Sequence, residues 1–161
     1  MMRKLLLGSL ALALGACAPS SGDAAPQSTQ AAPAVHPESG LPVVPLTVIH
    51  DGKRHVFRVE VASTGQQQAM GLMFRTSMGA DEGMIFPMDP PRGASFWMKN
   101  TRLSLDIIFI GVDGRISNIA ANAIPYDLTP LSSVGQVKGV LELNGGRAAE
   151  LGIVPGDKVE W

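Results

Sequence analysis

The stretch FWMKNTRLSLD, residues 96–106, places Lys99, Asn100, Arg102 and Asp106 inside one of the most apolar parts of the chain, and it runs on into Ile107–Ile110. Successive side chains of a strand point to opposite faces. Phe96, Met98 and Asn100 are therefore expected on one face, with Trp97 and Lys99 on the other. In the following run Leu103, Leu105, Ile107 and Phe109 share a face, and Ser104, Asp106, Ile108 and Ile110 share its opposite. If residues 100–103 form a tight connection, Lys99 and Asp106 lie on one face of a hairpin, about a diagonal apart. A carboxylate among isoleucines must be paired or hydrogen-bonded, and Lys99 and Arg75 are the expected partners.

Two chemistries fit these residues. One is a self-satisfying polar network, either a buried ion pair or a carboxylate that accepts backbone N–H groups. The other is a polar pocket in which Arg75, Lys99 and Asn100 meet a ligand of anionic character while Asp106 and Glu142 orient them. Polar groups that converge from separate segments within apolar surroundings are the usual mark of a binding site. A third reading, from another class, is an enzyme acting on an envelope substrate with Asp106 or Glu142 as acid/base.

Six of the eight methionines, Met70, Met73, Met78, Met84, Met88 and Met98, fall within residues 70–98. Thioethers bind Cu(I), but methionine also fills irregular cores. Met70 and Met73 have helical core spacing, and there is no Met-x-Met repeat. His36 lies in a polar stretch. His50 and His55 flank an expected turn and read as solvated. Ser132 and Ser133 have no nearby histidine to act as base, and no phosphate loop is present. The residues thus assign no catalytic group, no metal and no cofactor.

The N-terminal stretch reads as an address. Met1-Met2-Arg3-Lys4 is basic, Leu5–Ala13 is apolar, and Leu14-Gly15-Ala16-Cys17 closes it with small residues before the sole cysteine. This is the order of a secretory signal, and its apolar run is shorter than the roughly 20 residues a spanning helix needs. LGAC resembles the bacterial lipobox, which implies a lipidated Cys17 and a membrane partner. Residues 1–16 are then a signal peptide. Residues 17–40, rich in Ala, Pro, Ser and Gln, form a disordered tether; its 23 residues after Cys17 span roughly 25–29 Å as a coil. Ala18 after the cysteine favours the outer membrane. The expectation is a lipid-anchored protein of the bacterial cell envelope that faces the periplasm and takes a small envelope ligand or a protein partner. Removing residues 1–16 takes away Arg3 and Lys4 and leaves 11 basic against 14 acidic residues, a net of −3. That balance argues against nucleic acid as a partner.

Residues 41–161 suffice for one domain. Asp51-Gly52 and Asp113-Gly114 between strand-like runs predict two hairpins. Thr64–Leu72 is a helix candidate with Thr64 as its N-cap. Asn144–Leu151 is the second, with Gly152 at its C-terminus. VPGDKVEW reads as a turn and a last strand. The expected class is α+β, mostly antiparallel, a β-rich curled or barrel-like sheet with two short helices.

The motifs GLMFR (residues 71–75), GMIF (83–86), FWMKNT (96–101), LDIIFI (105–110), VLEL (140–143) and GDKV (156–159) occur in this order. Together they resemble the bacterial and archaeal family called domain of unknown function 192, over roughly residues 45–161. That resemblance implies a compact β-rich α+β fold and carries no established activity.

Overall fold

The computed structural model describes residues 34–161. The expected signal peptide, Cys17 and most of the tether lie outside the described residues.

The chain runs β1 (Ala34–Val35), β2 (Pro42–His50), β3 (Lys53–Val61), α1 (Gly65–Met70), β4 (Glu82–Arg92), β5 (Ser95–Phe96), β6 (Leu105–Gly111), β7 (Ile116–Ala123), β8 (Leu131–Ser132), β9 (Val137–Asn144), α2 (Arg147–Leu151) and β10 (Lys158–Glu160). The first hairpin forms as its sequence dictates. Asp51 and Gly52 take φ of 46° and 77°, the left-handed pair that a two-residue hairpin turn demands, and β2 and β3 pair from Val43↔Glu60 to His50↔Lys53. Asp113-Gly114 turns β6 into β7, with the Asp113 carboxylate accepting the Arg115 N–H at 3.0 Å.

Both helices are shorter than the sequence suggests. Thr64 caps α1 through a capping box: its hydroxyl accepts the Gln67 N–H and the Gln67 side-chain oxygen accepts the Thr64 N–H. The helix stops at Met70 because Gly71 turns the backbone to φ 49°. At α2, Asn144 stays in β9 and the helix begins only at Arg147. Gly145 is packed against Ser104, whose Oγ would stand 2.4 Å from an added Cβ, so this corner admits no side chain. Gly152 closes α2 in the left-handed conformation, as expected.

The main sheet has the order β1-β2-β3-β4-β9-β6-β7, with β10 also on β2. Every pair is antiparallel except β3 with β4, whose crossover carries α1. β5 and β8 form a separate two-stranded ribbon. The barrel-like alternative does not hold. β10 is three residues long, and it meets the β6–β7 hairpin only through an isolated Arg115↔Lys158 bridge. The sheet ends approach each other there without a closing ladder.

Central strands are covered on both faces, which explains their near-continuous hydrophobicity. One face packs Leu46, Val48, Phe57, Val59, Ile85, Ile108, Leu141 and Leu143 against α2 and Ile153. The other packs Met84, Phe86, Met88, Leu105, Ile107, Phe109 and Val140 under Leu72, Ala94 and Met98. Among the described residues no helix is long and apolar enough to cross a membrane.

Candidate functional site

The register of the sheet decides which polar groups meet. Ile107 lies opposite Glu142 and Asp106 opposite Leu143. Paired residues share a face and neighbours alternate, so Asp106 and Glu142 point to opposite faces of the sheet. They cannot act together as an acid/base pair.

Asp106 is fully buried at the α2 end of its face. Its carboxylate accepts the backbone N–H groups of Asn122 (2.8 Å), Gly146 (3.0 Å) and Ala148 (2.8 Å). It stitches β7 and the start of α2 to β6. Neither Lys99 nor Arg75 reaches it. The expected Phe96–Asn100 strand is the reason for the misplacement: only Ser95–Phe96 is strand, and residues 97–101 form a loop. In that loop Lys99 is exposed, with its ammonium 5.4 Å from the centre of the Trp97 ring. Asn100 sits at φ 54°, a left-handed position where asparagine is among the best-tolerated residues. Its carbonyl accepts the Phe74 N–H at 2.9 Å. Met98 N–H donates to the Asp127 carbonyl and Tyr126 N–H to the Thr101 carbonyl, so three separate segments are laced together here.

Arg75 is buried against Glu60, with a two-pronged pair at 2.9 and 3.1 Å. Residues of the expected tether close over this pair. Glu38 meets Arg75 Nε at 3.1 Å, the His36 ring lies 3.3 Å from the Arg75 guanidinium, and the Ser39 hydroxyl donates to Glu60. β1 pairs with Pro42 and Val43 just beyond them. Arg75 is thus spent on protein carboxylates rather than on a ligand.

Glu142 is different. Glu60, Met84, Glu142 and Ile107 form one row across β3, β4, β9 and β6. At about 4.8 Å per strand, Glu142 stands roughly 10 Å from Glu60, with Met84 between them. Glu142 is 5 % exposed, and its carboxyl makes no hydrogen bond or ion pair with any described residue. Burial alone pushes its pKa up from 4.5 to about 8.

This carboxyl lines a cavity of about 410 Å³. The walls come from the end of α1 and the turn after it (Gln68, Met70, Leu72, Met73), from β4 (Phe86, Met88, Arg92), and from the β5 region with its following loop (Phe96, Trp97, Thr101). Phe96 stands edge-on to Phe86 at 5.0 Å. Of the five site residues expected from sequence, only Glu142 faces the cavity. The polar convergence of Arg75, Lys99, Asn100, Asp106 and Glu142 does not occur: four separate environments hold them. Gln68, Arg92, Thr101 and Glu60 went unremarked in the sequence. Cross-strand register and the β4 bulge place Glu60 and Arg92, the packing of α1 and of the loop after β5 places Gln68 and Thr101, and no local motif marks any of them.

The methionines divide. Met84 and Met98 are fully buried core residues, while Met70, Met73 and Met88 line the cavity. His50 binds Asp157 at 3.1 Å, and buried His55 has its pKa lowered, first by burial and then by Lys53. Among the described residues no group of three or more His, Cys, Asp or Glu is placed to hold a metal ion.

No curated protein matches the chain. Two crystal structures are similar to it. One, of a protein of unknown function from Novosphingobium aromaticivorans DSM 12444, is 63 % identical with a TM-score of 0.79 and covers 82 % of this chain and 94 % of its own. The other, from Sinorhizobium meliloti 1021, carries a provisional transcription-regulator name; it is 40 % identical with a TM-score of 0.73 and covers 74 % of this chain and 94 % of its own. The DUF192 profile, described as an uncharacterized ACR, matches residues 46–161. With its fold, its motifs and this match taken together, the chain belongs to the DUF192 family.

Proposed function

We propose that this protein is a lipid-anchored envelope module that binds a small molecule in the cavity over Glu142, without catalysis. One observation carries the reading: a buried carboxyl with no partner among the described residues opens into a cavity walled by aromatic and thioether groups. A buried polar group without a partner costs about 1–3 kcal/mol, and a ligand that supplies the partner recovers it. The volume suits a small ligand rather than a polymer. The anchor rests on the LGAC sequence at residues 14–17. A net charge of −3 for residues 17–161 speaks against the nucleic-acid role suggested by the Sinorhizobium protein's name.

A thermal-shift screen of the protein against envelope metabolites, glycan fragments and Cu(I) tests this. A ligand at a hundred times its Kd adds about 2.7 kcal/mol to stability, a rise of several degrees in Tm. The Glu142→Ala variant should lose that rise. A screen with no hit, or hits unaffected in the variant, refutes the cavity as the site.

A second reading is favoured by the Glu142 pKa of about 8. A carboxyl poised near neutrality suits general acid–base work. It requires product formation from a bound hit, lost in Glu142→Gln while binding persists.

A further inference from the structure

The identity of the ligand follows from what the cavity offers it. Most of the side-chain donors in the lining are already engaged. The Gln68 amide N–H groups donate to the Ala62 and Pro87 carbonyls at 3.2 and 2.8 Å. The Thr101 hydroxyl donates to the Lys99 carbonyl at 3.1 Å. Arg92 donates to the Gln68 side-chain oxygen at 3.3 Å. The remaining side-chain donors outside the buried interior, the other Arg92 N–H groups, the Ser95 hydroxyl and the Trp97 indole, belong to exposed residues. The interior is left with electron-rich surfaces, the Phe86 and Phe96 rings and the Met88 thioether, and with the Glu142 carboxyl, which accepts hydrogen bonds and pairs with a cation once its proton is given up. Such a lining calls for a ligand rich in donors and positive in charge, since aromatic faces and a desolvated carboxylate both attract cations.

We propose that the cavity takes a small organic ammonium ion with an apolar body, its N–H end seated on the Glu142 carboxyl. This rests on the small-ligand reading above and names the ligand's chemistry. The charges around the site set a further preference. Glu60 faces the same side of the sheet but is neutralised by Arg75 across Met84. Lys99 lies over Trp97, and Arg92 lines the cavity beside Gln68. On β9, Glu142 and the Arg92 partner Val137 are five residues apart, roughly 17 Å at ~3.4 Å per residue. That is a backbone separation: the Arg92 guanidinium reaches back to the Gln68 side chain, whose amide donates to the Pro87 carbonyl opposite Gly139, three residues or ~10 Å along β9 from Glu142, and an anionic group on the ligand's far end finds its charge there.

Binding has a proton signature. Before binding, Glu142 holds its proton at neutral pH, because its pKa is raised to about 8. An ammonium ligand pairs with the ionised form, so the Glu142 O–H bond breaks and that proton leaves to solvent as the ion pair forms. The ligand keeps all its own protons.

Four probes built on one six-carbon chain separate the possibilities: hexylamine, ε-aminocaproate, hexanamide and hexanoate, added to the protein in calorimetric titrations at neutral pH in two buffers of different ionisation enthalpy. The amine and the amino acid should bind, the amino acid more tightly, each releasing close to one proton per ligand. Both should lose affinity at least tenfold in Glu142→Gln, and Arg92→Gln should level the two. Proton release is read on the unaltered protein, so the test survives a variant that fails to fold. Binding of hexanamide or hexanoate in place of the amines overturns the ammonium proposal and leaves the small-ligand reading standing. Amine binding without proton release, or absence of binding by all four, also overturns it; the wider screen then decides the broader reading separately.

Discussion

Glu142 makes the stability of the fold depend on pH in a direction opposite to that of carboxylates paired or hydrogen-bonded in the native state. In the unfolded chain its carboxyl titrates near 4.5, and in the folded protein near 8. Between these values the native state holds a proton that the unfolded state has released, so stability falls as pH rises. One unit of pKa is worth about 1.4 kcal/mol, and the whole gap about 5 kcal/mol. At pH 5 little of this cost is felt, and by pH 9 nearly all of it, a difference of about 4 kcal/mol between the two. Glu142→Gln keeps the shape and abolishes the titration. Urea unfolding of both proteins from pH 5 to 9 isolates the group, because other titrations cancel in the difference. The variant should be less favoured or equal near pH 5, where it leaves an unpartnered amide, and should gain about 4 kcal/mol on the parent by pH 9. Parallel curves, with a difference constant to within ~0.5 kcal/mol, would show that Glu142 is not desolvated and would remove the basis of the site.

Other substitutions probe the remaining polar groups. Asp106→Ala strands three N–H groups, that of Ala148 buried and those of Asn122 and Gly146 part-buried, and should cost about 2–4 kcal/mol; an unchanged urea midpoint would mean those contacts do not hold β7 and α2. Arg75→Met leaves Glu60 buried without its guanidinium and should cost about 3–5 kcal/mol, while adding Glu60→Leu should restore most of it; a double variant as weak as the single one would contradict the pairing. Gly83→Ala forces a Cβ to within 2.5 Å of the Glu142 carbonyl oxygen and 2.9 Å of Leu143, so the thermal midpoint should drop by many degrees. Lys99→Ala should leave the urea midpoint where it is, and a large loss would place that side chain in a contact absent from this structure.

Local chemistry was readable from the sequence, and long-range register was not. Asp51-Gly52 made its hairpin because few other dipeptides accept two left-handed residues. Thr64 with Gln67 made its capping box because both partners lie within one turn. Strand-like runs between turn signals already read as a β-rich class, and the family resemblance implies the same fold. For Asp106 the alternative of a carboxylate accepting backbone N–H groups holds, but which groups these are, more than fifteen residues away, has no sequence signature. The alternation rule placed Lys99 wrongly because it assumed a strand where Asn100, in a left-handed conformation, turns the chain. Glu142 was identified, but its separation from Asp106 depends on a one-residue difference in pairing between β6 and β9. A shift of that size turns every side chain to the other face.

The closure of residues 36–39 over Arg75 has a mechanical consequence. Force arriving along the N-terminal segment meets the sheet first at β1 and then at His36, Glu38 and Ser39, which grip Arg75 and Glu60. Arg75 N–H is in turn bonded to the carbonyl of Leu72, a cavity wall. A pull on the chain ahead of β1 is thus shared between the β1–β2 pairing and the wall of the space above Glu142.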